Sequence, residues 1–565
     1  MYNCKYLLVV FCFLFLLNST GGQSVYIPQG HAAYRFVDRI DVLSKDSLPM
    51  HTAVKYYTRN DIKNILRQVD RNHLSENSLA DVNYLSKEFI LPYDNEREEK
   101  KGLFGLFYKN PVHLYELSTN HLEFTINPFF NFQIGQENET GNIIFLNQRG
   151  IEIFGTLDEK IYFYSNFQEN QSSFFNYITP FIEENQTIPG YGLFKSFQSN
   201  VLSQFRGFDY SNSQAYIGYP ITKHVVFELG HGKHFVGHGI RSLLLSDYSN
   251  NYFNVKLNAR IWKLQYQSIF AELSSRSPNQ VPNNDLIQKK YMASHYLSLK
   301  VSRSLELGLF ESVVFSRENN FELQYLNPVI LYRTAEHFLD SPDNVIVGLN
   351  GKYNFLNHFS LYGQFVIDEF SFTNFFNGSG WWGNKYGIQA GLKYYDVFGI
   401  NHLDLQTEYN RVRPYTFTHF RPSEVITDQS ISSYAHNNQA LAHPAGANFT
   451  ELLVNIRYQP IQKIFISLRY LHTLQGRDTP GLNFGSNILP LNTTRVSDFG
   501  VSQHQGSLST INMVNFDASY EIFHDFYLDF KALWRTNQNV DLEDINTTYI
   551  GGGIRFNIYS TQLDY

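Results

Sequence analysis

One pattern repeats along most of this chain: a stretch of roughly ten alternating residues ends at an aromatic, turns within a few residues and alternates again. Longer polar loops separate these pairs. The clearest turns lie at 353–359, 395–400, 458–465 and 520–526. Tight turns on one side, long loops on the other and aromatics at the boundary are typical of a transmembrane β-barrel.

Length and composition support the same fold. The chain has 565 residues, of which 16% are aromatic and only 17% are charged. No linker or low-complexity tract divides it, and no run after residue 17 is long enough for a membrane helix. Because only helices and closed barrels satisfy their backbone groups in lipid, we expect an outer-membrane barrel.

The N-terminus predicts a cleaved secretory signal peptide over residues 1–22, with Lys5 before an apolar stretch at 6–17. The alternative is a membrane anchor, for which this stretch is too short. Both cysteines, Cys4 and Cys12, lie inside the signal, so the mature chain lacks thiol chemistry. The net charge of −7 argues against nucleic acid as a partner.

Residues 23–110 differ from the rest and predict a small helical segment on the periplasmic side. Thr58 begins a helix with Asp61 as the capping acid, and apolar residues then follow at helical spacing. A second helix is predicted to start at Ser78 and to end at Pro92. Whether this segment is a plug or an ordinary extension stays open.

From residue 111 to 565 the period changes to two, which predicts an all-β, antiparallel up-and-down barrel. We count about eighteen strands. They are expected at 120–135, 143–156, 159–168, 212–220, 223–230, 252–262, 264–274, 293–303, 304–316, 344–355, 358–370, 384–396, 400–411, 447–459, 462–473, 509–521, 524–536 and 546–558.

The two faces of each strand differ in polarity. In 252–262, Val255 and Leu257 alternate with Lys256 and Asn258. In a membrane barrel the apolar set faces lipid and the charged set faces the wet lumen, whereas a soluble sandwich would reverse this. The size of the sheet and its many aromatics argue against a sandwich. We therefore expect a monomeric barrel in contact with outer-membrane lipid.

The connections alternate between short and long. Short links follow the even-numbered strands, and most odd-numbered strands are followed by long loops. This predicts that both termini are periplasmic and that the long loops lie outside the cell. The short-turn face is then available to periplasmic, motility or secretion machinery, which the sequence does not identify.

A glycine-rich segment at 230–247 carries three histidines, His231, His234 and His238. Their spacing would suit a metal on a helix, but four glycines in ten residues disfavour a helix there. We therefore predict no metal site and no cofactor. The segment is expected to turn sharply into the barrel, with cations such as Arg241 lining the lumen.

Three further loops have a composition that predicts a constriction or a binding site. The loop at 317–343 is so apolar that we expect it to fold into the lumen as a constriction. Trp381 and Trp382 stand between glycines, and two interpretations remain open for them: stacking on sugar faces, or anchoring the barrel rim. The loop at 412–446 is rich in aromatic and cationic side chains, which fits an acidic glycan, although a solvated loop is the alternative.

We predict no catalytic residues. Ser246 and Asp247 lie near histidines, but the segment lacks a nucleophile elbow. The candidate ligand-binding residues, all for a glycan, are Trp381, Trp382, Arg413, Tyr415, His419, Arg421, His238 and Arg241.

Several segments give the chain a resemblance to Wzi-type capsule assembly proteins, and more closely to the RemB-like gliding-motility proteins of Bacteroidetes. These segments are 34–39, 237–246, 326–328, 381–387, 413–415 and 443–449. The chain departs from the Wzi pattern at Phe235 and Val236, where two tryptophans would be expected.

The resemblance implies an eighteen-stranded barrel with a periplasmic helical piece that is not an enzyme. It also implies binding or anchoring of a surface polysaccharide in capsule or exopolysaccharide assembly, and a role in gliding motility. The alternative from the residues alone is a diffusion channel or porin-like transporter for oligosaccharides, because such a barrel encloses a wide lumen.

Overall fold

The computed structural model describes residues 24–44, 48, 50–71, 74–90, 112–199, 204–275, 287–317, 322–329, 331–339, 343–420, 431–541, 543–559 and 564. The predicted signal peptide and the predicted boundary at residue 110 lie outside these residues. No helix in the described part of the chain combines the length and apolarity needed to cross a bilayer.

Eighteen antiparallel strands form a closed barrel, which confirms the predicted fold class. They are β1 Leu122–Glu137, β2 Ile143–Leu157, β3 Ile161–Ser172, β4 Arg206–Pro220, β5 Val225–Gly232, β6 Tyr252–Ile261, β7 Leu264–Ser275, β8 Gln288–Lys300, β9 Leu305–Phe315, β10 Asn344–Phe355, β11 Phe359–Glu369, β12 Lys385–Tyr394, β13 Leu403–Val412, β14 Phe449–Ile461, β15 Ile464–Arg477, β16 Ser507–Phe523, β17 Phe526–Asn539 and β18 Ile545–Phe556. Each strand pairs with the next, and β18 pairs with β1 to close the barrel.

Side chains alternate between the two faces of the wall as predicted. On β9, Leu307 and Leu309 face outward and are exposed, whereas Glu306, the residue before Leu307, is buried in the lumen. The inward face collects charged groups such as Lys352 and Glu408. Apolar side chains therefore face lipid, and ionic side chains face the enclosed interior.

The connections define two ends of the barrel. Two-residue turns such as 262–263 and 462–463 join strands at the short-turn end. Long connections such as 233–251, 413–448 and 478–506 lie at the opposite, long-loop end. Which end faces the periplasm stays a prediction.

Six α-helices occur among the described residues: α1 Ala32–Leu43, α2 Arg59–Gln68, α3 Glu76–Phe89, α4 Thr179–Asn185, α5 Tyr332–Leu339 and α6 Phe372–Phe376. Thr58 and Asp61 form the predicted capping box of α2. The predicted start of α3 at Ser78 was too late, because Ser75 caps this helix by accepting a hydrogen bond from the Ser78 N–H. Helix α1 was not predicted.

The described residues between 24 and 90, which we call the N-terminal plug, lie in the short-turn opening of the barrel. The Arg39 guanidinium on α1 hydrogen-bonds to the carboxylates of Asp404 and, at 2.7 Å, Asp396. Lys352 of β10 pairs with Asp41 at 2.5 Å. Because Lys352 and Asp404 face the lumen, these contacts correspond to a plug rather than to an extension.

The long-loop half of the lumen is filled by an apolar cluster. Three inward-folded segments supply it: 233–251 through Leu243, the described part of 413–448 through Phe417, and 478–506 through Ile488. These side chains pack against inward-facing apolar residues of the wall, such as Ile346 of β10. The lumen is thus occupied from both ends.

The prediction that the loop at 317–343 folds into the lumen was wrong. Its described residues lie on the outside of the wall, where Tyr325 and Tyr332 pack against the outward-facing Phe315. The physical reason is that the lumen is already filled, while the outer surface of β7–β9 at this end presents large side chains that need cover.

We predict that Arg39→Ala destabilises the N-terminal plug. Arg39 is 2% exposed and neutralises two carboxylates, so its removal leaves a buried, unpaired charge, which typically costs about 3–5 kcal/mol. Hydrogen exchange of the α1 amides in detergent micelles measures the loss. Arg67→Ala, an exposed arginine on α2, is the matched control and should leave these rates unchanged.

Candidate functional site

The connection at 233–251, which we call the lumen loop, folds inward from the end of β5. Its Phe235–Val236 strand pairs with Val54–Lys55 of the N-terminal plug. The Val236 N–H also donates to the Leu245 carbonyl. The predicted inward turn of this glycine-rich segment is therefore confirmed, and the loop bridges the plug and the long-loop half of the lumen.

Arg241, a predicted glycan contact, anchors this loop. Its guanidinium pairs with Glu451 of β14 at 3.3 Å and with Asp564 at 3.1 Å. Burial lowers the pKa of Arg241, but these two carboxylates raise it above its usual value. The Glu408 carboxylate accepts the backbone N–H groups of Ile240 and Arg241. The charge of Arg241 is thus satisfied inside the protein.

The three histidines of this segment do not come together. His231 lies on the outward face of β5, whereas His234 and His238 are buried in the lumen. Burial and the nearby charge of Lys352 hold the pKa of His238 well below its usual value. Among the described residues, no group of three histidine, cysteine or acidic side chains could hold a metal.

The paired tryptophans lie at the long-loop end, between β11 and β12. The Arg495 guanidinium lies 4.1 Å from the Trp382 ring centre, and the Lys385 ammonium lies 5.5 Å from it. Tyr415 meets the same ring at right angles. Trp381 and Trp382 are both half-buried. Trp382 is therefore already engaged by cations of the protein itself.

The other predicted contacts belong to the same region. Tyr415 is fully buried and donates its hydroxyl to the Asn483 carbonyl at 2.8 Å. The Arg413 guanidinium lies over the Tyr386 ring at 5.7 Å. His419 is half-buried, and Arg421 lies outside the described residues. The structure thus separates the candidates into a lumen pair, His238 and Arg241, and this long-loop group.

A different site emerges between the wall and the lumen loop. Strands β2–β6, the plug and the lumen loop line a partly open cavity of roughly 240 Å³. Its polar lining consists mainly of carboxamides and tyrosines: Gln148, Asn166, Gln168, Asn212, Gln214, Asn254, Tyr26, Tyr56, Tyr164, Tyr191 and Tyr216. We call it the lumen cavity.

Three lining residues of the lumen cavity carry buried polar atoms without a partner among the described residues. They are the Asn166 Oδ1, the Asn254 Oδ1 and the His234 Nε2. A buried polar atom without a hydrogen bond is costly, so these atoms indicate a site for a polar ligand or ordered water.

Charged groups frame this cavity. Lys256 pairs with Glu228 at 2.5 Å, and its ammonium lies 4.5 Å from the Tyr26 ring centre. Burial lowers the pKa of Lys233 to about 8, and Asp247 opposes this shift. Its ammonium donates to the Gly190 carbonyl at 2.6 Å. The cations are thus held by internal partners, while the carboxamides supply the free hydrogen-bonding atoms.

Sequence reasoning missed the lumen cavity, although a signal was present. On β3, Tyr164, Asn166 and Gln168 occupy alternate positions and face inward together. On β4, Asn212, Gln214 and Tyr216 do the same. A run of carboxamides and tyrosines on the inward positions of neighbouring strands would have identified this part of the wall.

A comparison with known proteins bears on the fold. The structure resembles Wzi, an outer membrane protein involved in group 1 capsule assembly in Escherichia coli and described as a carbohydrate-binding β-barrel. The TM-score is 0.56 with 11% sequence identity, covering 96% of this chain and 100% of that one. This likeness shows a shared outer-membrane barrel fold.

Other barrels match more distantly. OprD of Pseudomonas aeruginosa gives a TM-score of 0.41 at 8% identity, over 77% of this chain and 94% of its own. OccAB4 of Acinetobacter baumannii gives 0.40 at 10% identity, over 77% and 97%. No family model and no curated protein matches the sequence. The expected closeness to RemB-like proteins stays a prediction.

We predict that acid weakens the packing of the inward loops through His436. The His436 Nδ1 accepts the Ser274 N–H at 3.0 Å, and its Nε2 hydrogen-bonds to the Asn251 carbonyl. Burial lowers the pKa of His436 to about 3. Because an unfolded histidine titrates near 6.5, the stability is complete above about pH 6.5 and is lost as the pH falls toward the folded value.

Urea unfolding in detergent micelles at pH 7 and pH 5 measures this effect. The loss on acidification should be about 2 kcal/mol smaller in His436→Asn, which keeps an acceptor but cannot be protonated. His224→Asn, at an exposed turn, should retain the full loss. An equal loss in wild type and His436→Asn would contradict the assignment.

Proposed function

We propose that this protein binds a surface polysaccharide at the outer membrane, and that the lumen cavity holds a sugar residue of that polymer. The observation that carries the proposal is the lining of this cavity. Carboxamides donate and accept hydrogen bonds with neighbouring hydroxyl groups, and tyrosine rings cover the apolar faces of sugar rings. Three buried polar atoms in the lining still lack a partner.

The size of the cavity limits the ligand. Its volume of roughly 240 Å³ is below the roughly 300–1,000 Å³ of most small-molecule pockets. We infer that one residue or a short branch of the polymer enters, while the remainder stays outside. The description of Wzi as a carbohydrate-binding barrel supports this proposal, as does the resemblance found in the sequence.

The aromatic and cationic group at the long-loop end is the proposed surface contact. Here Trp381, Arg413 and His419 are half-buried and lie in the connections after β11 and β13. Two neighbouring residues are fixed by internal contacts: Trp382 by the Arg495 guanidinium and Tyr415 by the Asn483 carbonyl. In this proposal Arg241 holds the lumen loop in place and contributes indirectly, and the buried His238 does not contact the glycan.

A role as a diffusion channel is the second candidate, and the occupied lumen argues against it. The N-terminal plug fills the short-turn end, and the apolar cluster around Leu243 and Phe417 fills the other. A role in gliding motility remains a prediction, which a deletion strain on a soft surface would test. We propose no catalytic activity.

We predict that Asn166→Leu weakens glycan binding by about tenfold, close to 1.4 kcal/mol, because it removes hydrogen-bonding atoms from the cavity while keeping the side-chain volume. Binding of the detergent-purified barrel to a glycan array, followed by titration with the best oligosaccharide, measures this. Asn455→Leu, a lumen-facing asparagine of β14 that does not line the cavity, is the matched control.

In cells, a strain lacking the protein should release more surface polysaccharide into the medium than the parent strain. Complementation with Asn455→Leu should restore retention, and complementation with Asn166→Leu should not. If the deletion strain kept all its surface polysaccharide and the purified barrel bound no glycan, the proposal would fail.

We also predict a nearly silent barrel in planar lipid bilayers, because both ends of the lumen are filled. The single-channel conductance of the wild type should lie far below that of an open porin measured under the same conditions. A variant lacking residues 24–90 should conduct more than the wild type. A steady porin-like conductance of the intact protein would support the channel instead.

A further inference from the structure

Three polar side chains form a row on the lipid-facing wall. Ser268 of β7 lies directly opposite His295 of β8, which lies directly opposite Glu311 of β9. The row is flanked by Leu257 and Val347 on the neighbouring strands. We call Ser268, His295 and Glu311 the outer-wall row.

The rows on either side show that this position faces the membrane. Toward the short turns lie Tyr266, Leu297 and Leu309, and Leu309 is 57% exposed. Toward the long loops lie Phe270 and Ala293. Residues two apart on a strand share a face, so Glu311 points to the same side as Leu309. Ionisable groups on a lipid-facing surface are costly and are functional candidates by default.

The loop outside the barrel covers this row. Residues 322–329 and 331–339, the cover segment, comprise a short 3₁₀-helix and α5. The cover segment presents its own apolar side chains to the bilayer, with Leu331 and Phe338 largely exposed and Val329 85% exposed. It therefore lies within the membrane zone, with the polar row beneath it.

Polar contacts fix the cover segment to the row. The Tyr332 hydroxyl hydrogen-bonds to the His295 Nε2 at 2.6 Å, and the two rings are tilted by 31° with centres 4.1 Å apart. The Arg333 backbone N–H donates to the Glu311 Oε1 at 3.1 Å. The Tyr266 hydroxyl donates to the Pro328 carbonyl.

One strong acceptor remains without a donor. The Glu311 Oε2 is buried and has no hydrogen-bond partner in the described part of the chain, and Glu311 as a whole is only 9% exposed. Anchoring of the cover segment uses the other oxygen alone. A buried carboxylate oxygen of this kind is expensive unless a donor, preferably a cation, reaches it.

The charged groups around the Glu311 Oε2 indicate which charges a bound ligand should carry. Arg333 pairs with Glu336 at 2.6 Å, and the Arg333 side chain is 74% exposed. This part of the surface thus has two carboxylates, Glu311 and Glu336, and one guanidinium, that of Arg333. The Glu311 carboxylate is buried, and the residue whose backbone N–H donates to it, Arg333, carries an exposed guanidinium. A zwitterionic ligand, with an ammonium for the Glu311 carboxylate and a phosphate for the Arg333 guanidinium, would complement these charges.

We propose that the outer-wall row and the cover segment together bind the headgroup of a membrane phospholipid that carries a primary ammonium. The ammonium donates to the Glu311 Oε2, and the phosphate lies against the Arg333 guanidinium. The acyl chains run along the exposed apolar side chains of the cover segment and the wall. This site faces the bilayer and does not depend on the proposed polysaccharide function.

Native mass spectrometry of the purified protein tests the proposal. The protein is exchanged into micelles containing equal amounts of phosphatidylethanolamine and phosphatidylcholine, whose trimethylated nitrogen cannot donate a hydrogen bond. The wild type should retain phosphatidylethanolamine about tenfold more than phosphatidylcholine, the ratio expected for one hydrogen bond to a charged group. Glu311→Gln should reduce this ratio to about one.

The control is Glu272→Gln, which removes another outward carboxylate of β7 that pairs with Lys289 away from the cover segment. It should keep the wild-type ratio. Arg333→Gln should lower the retention of both lipids without changing their ratio. Folding of each variant is verified by its resistance to dodecyl sulfate. Equal retention of the two lipids by the wild type, or an unchanged ratio in Glu311→Gln, overturns the proposal.

Discussion

Backbone hydrogen bonding in lipid governs this structure. No water in the bilayer can satisfy a strand edge, so the sheet must close, which it does through β18 and β1. Because successive side chains of a strand point to opposite faces, the closed sheet directs alternate residues to the lipid and to the lumen. Charged groups such as Glu306, Lys352 and Glu408 are directed into the lumen, where they are buried and need partners.

Those partners come from distant parts of the chain. The N-terminal plug supplies Asp41 to Lys352, and the lumen loop supplies backbone N–H groups to Glu408. The same need for counter-charges engages the ions around the lumen cavity, such as Lys256 with Glu228, and leaves carboxamides as its other polar lining. A fixed wall of carboxamides and tyrosines is the kind of surface that can recognise a sugar without reorganisation.

The outer-wall row is an exception to the division of faces. Here Ser268, His295 and Glu311 lie on the lipid side, and the protein folds a loop over them instead of replacing them. The wall thus carries polar chemistry on both sides: carboxamides toward the lumen and a covered carboxylate toward the membrane. The proposed glycan site lies inside β2–β6, and the proposed lipid site lies outside β7–β9.

The sequence by itself determined the strands, their number and the side that faces lipid, because alternation is a local property that each segment carries alone. It also determined the capping box at Thr58. Tertiary structure decided which loops enter the lumen and which residues meet. The sequence around Arg241 shows no partner for its charge, because its partner Asp564 lies 323 residues away along the chain. Such pairings depend on barrel closure and on competition for limited lumen space, which no local pattern encodes.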